Sequence, residues 1–359
     1  MRETSFHKNI VKKIIALDPA NEEVFRNVSG DQVFLDHNKY AVEFGYKGIA
    51  LVRYYFKIYR GYAKAYWKLF LSMLFRRCYF GTFNGEFGNF LSYVLPFLTY
   101  LHSKKVKIYY CGLDLYEPFM VAENGKSIIH EFTRLPDFYN EVVPDANNSD
   151  RLPEIHKGII KNFAERAQKS FFPFWNMNDS FFYWFIFREW IVKAGPFMKA
   201  SRLEKVYKTA EENSVVIFPR FKKDVKGRAI NYGEVWDFEE IINTAKIYFD
   251  KVYVMGHPAM SSMPIVSYDN VEVLITANNK ILLEKCSNSR LIITQHSGTK
   301  YLGEYTNSQV LVIHKGSLPI EGILFNIVYN YFLGKRHSLH YAFSINEIKS
   351  YCQKFKNKI

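Results

Sequence analysis

From residue 214 to residue 314 short aliphatic runs are spaced by polar turns and helix-like stretches. The runs are Ser214–Phe218 (SVVIF), Lys251–Met255 (KVYVM), Val271–Ile275 (VEVLI), Arg290–Thr294 (RLIIT) and Val310–His314 (VLVIH). Between them, Asp237–Phe249 (DFEEIINTAKIYF) reads as an amphipathic helix, with Asp237 as N-cap and acidic residues in its first turn. Lys280–Cys286 (KILLEKC) reads as a shorter helix. Strands alternating with helices build a parallel sheet with helical cover. The pattern predicts a Rossmann-like unit over about residues 205–317.

A second, weaker copy of this logic precedes it. Arg77–Phe83 (RCYFGTF) reads as a strand, Asn84–Asn89 (NGEFGN) as a glycine-bearing turn and Phe90–His102 as a helix. Val106–Cys111 (VKIYYC) then reads as a further strand, completing a βαβ unit. Residues 112–204 show no clean periodicity, apart from a helix over Lys157–Lys169 and a loop at Glu141–Pro153. The aromatic stretch Phe171–Trp190 is expected to pack between the halves, and Ser344–Ile359 to form a terminal helix.

With 359 residues, the chain exceeds what one core usually organises. The expected fold is α/β, with two Rossmann-like domains facing a cleft. Residues 1–204 would form an N-terminal acceptor-binding domain with aromatic and helical insertions. Residues 205–335 would form a C-terminal nucleotide-binding domain, and residues 336–359 a helical tail packing back on the N-terminal domain.

Composition narrows the function. Aromatics make up 18% of the chain, too many side chains in need of burial for a disordered basic tail. Four cysteines without a CxxC pair exclude a disulfide scaffold and imply reduced, buried thiols. A formal charge of +13 asks for an anionic partner: nucleic acid, an anionic membrane or a phosphorylated ligand. The N-terminus shows no signal-peptide run, and the densest apolar stretches, Tyr66–Phe75 and Phe181–Phe187, are too short to span a bilayer. The expected location is cytoplasmic, peripheral on the inner face of a membrane.

Open α/β sheets bind ligands outside the carboxyl ends of their strands, so the residues following each run are the candidates. After Ser214–Phe218 come Arg220, Lys222, Lys223 and Arg228, cations able to neutralise a diphosphate or else a solvated basic loop, and Asn231, which either hydrogen-bonds a ligand or ends a turn. After Lys251–Met255 comes His257, and after Arg290–Thr294 come His296, Ser297, Gly298 and Thr299. A Ser-Gly-Thr turn opening a helix offers amides and hydroxyls to an anion, or is an ordinary N-cap. Glu304 lies on the helix that follows. In the first half, Asn84, Gly85 and Gly88 form an acceptor-side loop in which glycines let backbone approach a ligand. Glu86 in that loop, or Asp114 after Val106–Cys111, is the candidate base for an acceptor hydroxyl; each is alternatively a capping or ion-pair residue. The chain has no GxxxxGK[ST] loop, GxGxxG fingerprint or GxSxG elbow. Among His257, His296 and His314 no HxH or HxxxH spacing occurs and no acidic cluster joins them, and no metal is expected.

Two halves of this kind, with a glycine-bearing loop after the first strand and a basic strand-end loop plus Ser-Gly-Thr turn in the second, resemble GT-B glycosyltransferases. Val215–Gly256 and Leu291–His314 are similar to the nucleotide-binding half of polysaccharide-building enzymes from bacteria and large viruses. The resemblance covers about residues 75–120 and 205–335 and is largely topological. It implies a nucleotide-sugar donor, a glycan or lipid-linked glycan acceptor and no metal cofactor. The sequence departs from the E-x7-E pattern of retaining members, since Glu304 is followed at position 312 by Val, so neither stereochemical outcome is implied.

Arg53–Lys68 (RYYFKIYRGYAKAYWK) interleaves cations with aromatic rings. This suits an anionic membrane holding a lipid-linked acceptor. It also supports the competing reading of a single-stranded nucleic-acid-binding or modifying protein. Because part of the charge sits at strand ends, where a nucleotide phosphate fits, nucleic acid ranks second as a partner.

Overall fold

The computed structural model describes residues 12–13, 15–16, 45–83, 85, 87–136, 154–176, 199–219, 222–223, 229–230, 236–258, 268–295, 297–314 and 339–356. Helix α1 spans Gly48–Phe75 and stops where Arg76 turns left-handed, at φ 50°. Its Tyr62, Ala65, Leu69 and Ser72 are buried, three or four residues apart on one face. Among the described residues, no helix is long and apolar enough to cross a membrane.

The first sheet has four parallel strands: β1 (Arg77–Phe83), β2 (Lys107–Leu113), β3 (Glu131–Leu135) and β4 (Phe174–Asn176), in the order β3-β2-β1-β4. Between β1 and β2 the chain makes a single turn α2 (Phe87–Asn89), a π-helical segment (Phe90–Val94) and α3 (Leu95–Ser103). A 3₁₀ segment, Asp114–Phe119, leaves β2, and α4 (Glu154–Lys169) precedes β4. The expected βαβ unit is therefore extended by β3 and β4, both from the stretch that lacked periodicity. Of Phe171–Trp190, only residues up to 176 are described, and they supply β4, whose Trp175 is buried and donates to Ser72 Oγ of α1 at 3.1 Å.

After α5 (Glu204–Tyr207), the second sheet is parallel throughout, in the order β12-β11-β10-β5-β8-β9. Its strands are β5 (Glu212–Phe218), β8 (Lys251–Gly256), β9 (Val271–Ile275), β10 (Ser289–Gln295), β11 (Gln309–Ile313) and β12 (Leu339–Ala342). A small antiparallel ribbon of β6 (Lys222–Lys223) and β7 (Ala229–Ile230) sits in the basic block after β5. Counted in chain order, the second sheet has the doubly wound arrangement: β5 comes first, β8 and β9 are added on one side, and β10, β11 and β12 on the other.

Alternation along the strands sorts two cores. Val215, Ile217, Val252, Val254, Leu291 and Ile293 face α6 (Phe238–Lys246) and α9 (Ile345–Gln353). Val216, Phe218, Tyr253 and Ile292 face the opposite way and join a core continuous with the first sheet, to which α7 (Asn279–Asn288) contributes Leu283. Asp237 caps α6 by accepting from the amides of Glu239 and Glu240, an arrangement worth about 1 kcal/mol. The tail corrects its expectation. Instead of packing back on the first half, it adds β12 beside β11 and lays α9 against α6. Its apolar residues Ile348, Tyr351, Cys352 and Phe355 complete the outer core of the second sheet.

All four cysteines are buried and unbonded. Burial pushes the Cys111 and Cys352 thiols up to about 12 and raises Cys78 and Cys286 further. The Tyr110 and Tyr301 phenols shift upward for the same reason. In the unfolded chain thiols ionise near 8.5. The folded-state values lie above that, so stability is complete below about pH 8.5 and drains away as pH rises toward about 12. The melting temperature is therefore expected to stay level from about pH 7 to 8 and to fall progressively above about 8.5. A circular-dichroism melt unchanged up to about pH 11 would contradict the buried thiols.

Candidate functional site

In a doubly wound sheet the ligand crevice opens where strand order reverses, outside the carboxyl ends. In the second sheet that point lies between β5 and β10, and in the first between β1 and β4. The segments leaving β1 and β10 meet. Gly88 of α2 lies backbone to backbone with Gly298, in the 3₁₀ turn Gly298–Tyr301 that follows β10. A Cβ on Gly298 would stand 2.5 Å from the Gly88 nitrogen, and a Cβ on Gly88 would stand 3.0 Å from the Gly298 Cα. The absence of side chains at both positions permits the contact.

Further contacts join the two halves. Tyr305, buried in α8 (Leu302–Thr306), donates its hydroxyl to Leu91 O at 2.5 Å. Asn279 at the start of α7 donates to Leu115 O at 2.7 Å, and Tyr207 of α5 donates to Pro118 O at 2.6 Å. Lys205 pairs with Glu123, which holds that carboxylate below its ordinary value. Within the first half, the buried Tyr116 ring stacks on Phe90, with centroids 4.3 Å apart. Its hydroxyl donates to Gly85 O at 2.9 Å and so holds the loop after β1.

The turn after β10 carries a triangle of hydroxyls. Thr294 Oγ1 and Thr299 Oγ1 are 2.5 Å apart, Ser297 Oγ and Thr299 Oγ1 2.6 Å, and Thr294 Oγ1 and Ser297 Oγ 3.2 Å. Ser297 occupies the cap position in extended conformation, φ −138° and ψ 178°, yet its side chain makes no capping hydrogen bond. The hydroxyl belongs to the triangle, so the ordinary N-cap reading does not hold. The turn opens only four 3₁₀ residues followed by the five of α8, shorter than the helix expected. Two charged residues of this segment, Lys300 and Glu304, are buried one turn apart, with the Lys300 ammonium 5.0 Å from the Tyr301 ring centroid.

Of the sequence candidates, Gly85 and Gly88 follow the carboxyl end of β1, and Ser297, Gly298 and Thr299 that of β10. His257 leaves the carboxyl end of β8, beside β5, and is half-buried. Lys222 lies in β6 of the small ribbon. Asn84, Glu86, Arg220, Arg228, Asn231 and His296 lie outside the described residues. Asp114 opens the 3₁₀ segment after β2, and its charge acts on Arg134, which Glu117 already holds with two hydrogen bonds, one at 2.9 Å. That environment suits an ion-pair network better than a proton acceptor. Thr294, Lys300, Tyr116 and Tyr305 were not singled out from sequence. For Lys300 the signal was available, as a cation directly after the Ser-Gly-Thr turn and four residues before Glu304.

Among the described residues, no three His, Cys, Asp or Glu side chains gather as a metal site would require. A cavity of about 390 Å³ lies along α4, lined by Asn162, Glu165, Arg166, Lys169 and Ser170. It sits on the approach to the amino end of β4, and Glu131 already engages its Arg166 at 2.6 Å, so it is a surface recess apart from the crevices.

No protein-family model and no curated protein matches the chain. Solved structures do. Escherichia coli heptosyltransferase WaaC with ADP superposes with a TM-score of 0.50 at 9% identity, covering 77% of this chain and 99% of that one. The same enzyme with ADP-2-deoxy-2-fluoro heptose gives 0.49 at 10% identity, covering 77% and 99%. A glycosyl transferase family 9 protein from Veillonella parvula gives 0.40 at 13% identity, covering 79% and 90%. The match to WaaC with ADP establishes the fold: two parallel Rossmann-like sheets with their carboxyl ends turned toward each other, the GT-B arrangement.

Proposed function

We propose that this protein is a glycosyltransferase that moves a sugar from a nucleotide-activated donor to a hydroxyl of a glycan acceptor in surface polysaccharide or glycan synthesis. The observation that carries this reading is the contact of the two crevice loops at Gly88 and Gly298, which sets a candidate acceptor loop beside a candidate phosphate turn. The solved structure with the same fold that carries ADP is a heptosyltransferase, which supports a nucleoside-diphosphate donor here.

In this reading the donor lies outside β5 and β10. Ser297, Gly298 and Thr299 offer amides and hydroxyls to its phosphates, and Arg220, Lys222 and Arg228 supply countercharge. Asn231, His257, His296 and Glu304 are the further candidates for contact with the nucleotide sugar. In an inverting transfer the acceptor oxygen attacks the anomeric carbon while Glu86 takes its proton, and the nucleoside diphosphate leaves with its electron pair. Charge developing on the departing phosphate is met by protein donors already in place, commonly the largest electrostatic contribution in such reactions. Asp114 is the second candidate for the base. Asn84, Gly85 and Gly88 shape the acceptor side, and a lipid-linked glycan is the acceptor class that fits a membrane-surface enzyme.

The test is calorimetry with a panel of nucleoside diphosphates and nucleotide sugars. One of them should bind, and Arg220→Ala should weaken it roughly tenfold to a hundredfold, as expected for loss of a charge-assisted phosphate contact. Absence of binding across the panel, or full affinity in Arg220→Ala, would remove the donor site from this crevice.

A further inference from the structure

We infer that α1 is a docking helix for the surface of an anionic phospholipid bilayer, lying flat along it rather than crossing. This goes beyond the transferase reading and stands whether or not that reading holds.

The helix has three faces. At 3.6 residues per turn, its core-facing Tyr62, Ala65, Leu69 and Ser72 occupy one stripe. Val52, Phe56, Tyr59, Trp67, Phe70 and Leu74 occupy another, within about 100° of arc, and each is 53–68% exposed. Scattered exposed apolar residues are ordinary, but a stripe running nearly the whole length of a 28-residue helix is not. At about 1.5 Å per residue the stripe from Val52 to Leu74 is about 33 Å long. Trp67 and Phe70 stack with ring centroids 5.4 Å apart, forming a broad aromatic patch. Tryptophan and tyrosine favour the headgroup level of bilayers because each joins an apolar ring to a polar edge.

The third face identifies the occupant. Arg53, Lys57, Arg60, Lys64 and Lys68 follow at spacings of three or four, immediately beside the apolar stripe. The helix contains no Asp or Glu. A second copy of this chain meeting the apolar stripe would bring two basic stripes together with no carboxylate on either helix to pair them. A bilayer carrying anionic headgroups supplies the complementary charge and the apolar interior at once. Five cations on the helix also forbid spanning, and it is not apolar enough to cross a membrane.

The experiment is co-sedimentation of the full chain with vesicles of phosphatidylcholine alone and of phosphatidylcholine with about a third phosphatidylserine, at low and high salt. Binding is expected to the anionic vesicles, falling with salt and weak on phosphatidylcholine alone. The double change Phe56→Ser with Trp67→Ser should reduce it at least tenfold. The triple change Arg53→Glu, Lys57→Glu and Lys64→Glu should reduce it roughly a hundredfold. All five positions are exposed, so unchanged circular dichroism is expected and separates lost docking from lost folding. Equal binding to both vesicle types, or binding that both variants retain, overturns the proposal. So does concentration-dependent dimerisation abolished by the serine variant without vesicle binding, or retention of single-stranded DNA where vesicles are not retained.

Discussion

Gly298→Ala is expected to lower kcat/KM for sugar transfer by at least roughly a hundredfold while leaving a folded protein. The objection to alanine is spatial, not conformational. Gly298 does not adopt a left-handed backbone, so alanine tolerates its dihedral angles. The new methyl would, however, meet backbone atoms of Gly88 and Phe87, and backbone cannot rotate aside as a side chain can. The two crevice loops must separate, in a region where Tyr305 also bonds to Leu91 and Asn279 to Leu115. Overpacking of one methyl costs about 1–3 kcal/mol, survivable for a domain this size. Displacing a reacting group by about 1 Å can cost a hundredfold in rate, so activity should suffer more than stability. Gly88→Ala should show the same effect more weakly, because its methyl meets the Gly298 Cα at the longer distance of 3.0 Å. Gly158→Ala is the control: on α4, with nothing within 4 Å, it should leave transfer unchanged. Steady-state kinetics with a thermal melt on each variant decides the matter. Full activity in Gly298→Ala would mean that the loop contact is not part of the site.

The parts of this fold that could be read from sequence are those whose signal is local. Val271–Ile275 carries its whole strand signal in five residues, and Asp237 announces α6 because a cap acts on amides only two and three residues on. The strands that escaped notice are short or sit at sheet edges. β4 has three residues and β12 four, too few for a period to register, and both join sheets through partners far away in sequence. In β3 the sequence EFTRL mixes charge with apolar residues, because Glu131 and Arg134 face solvent at the edge of the first sheet. Helix α1 concealed its periodicity for the opposite reason. Apolar residues serve both its buried and its exposed stripe, so they occur at almost every spacing.

The site divides in the same way. Ser297 and Thr299 stand out as a turn opening a helix, whereas Thr294, third member of their hydroxyl triangle, looks like any threonine ending a strand. Tyr116 and Tyr305 hold crevice loops through single hydroxyls, yet with 26 tyrosines in the chain composition gives no reason to choose these two. Their role follows only from which carbonyl each reaches across the fold, and that is a tertiary fact.

Glu86→Gln is expected to reduce kcat roughly a thousandfold with little change in the dissociation constant of the nucleoside diphosphate. The chain on both sides of Glu86 is held: Gly85 accepts the Tyr116 hydroxyl, and two residues on Gly88 rests against the turn at Gly298, the proposed phosphate turn. Glu86 falls between these two held glycines in sequence, and in the proposed reaction it is the group that takes the proton of the acceptor hydroxyl. Glutamine keeps the size and loses the base. The acidic limb of the pH–rate profile should therefore disappear along with the rate, which a purely structural role would not produce. Asp114→Asn should cost only a few-fold, because that carboxylate acts on Arg134 in company with Glu117. If Asp114→Asn abolishes turnover and Glu86→Gln does not, the base belongs to the loop after β2, not to the loop after β1. Normal turnover in both variants would show that neither loop deprotonates the acceptor, and the crevice loops would then have to be read as binding surfaces alone.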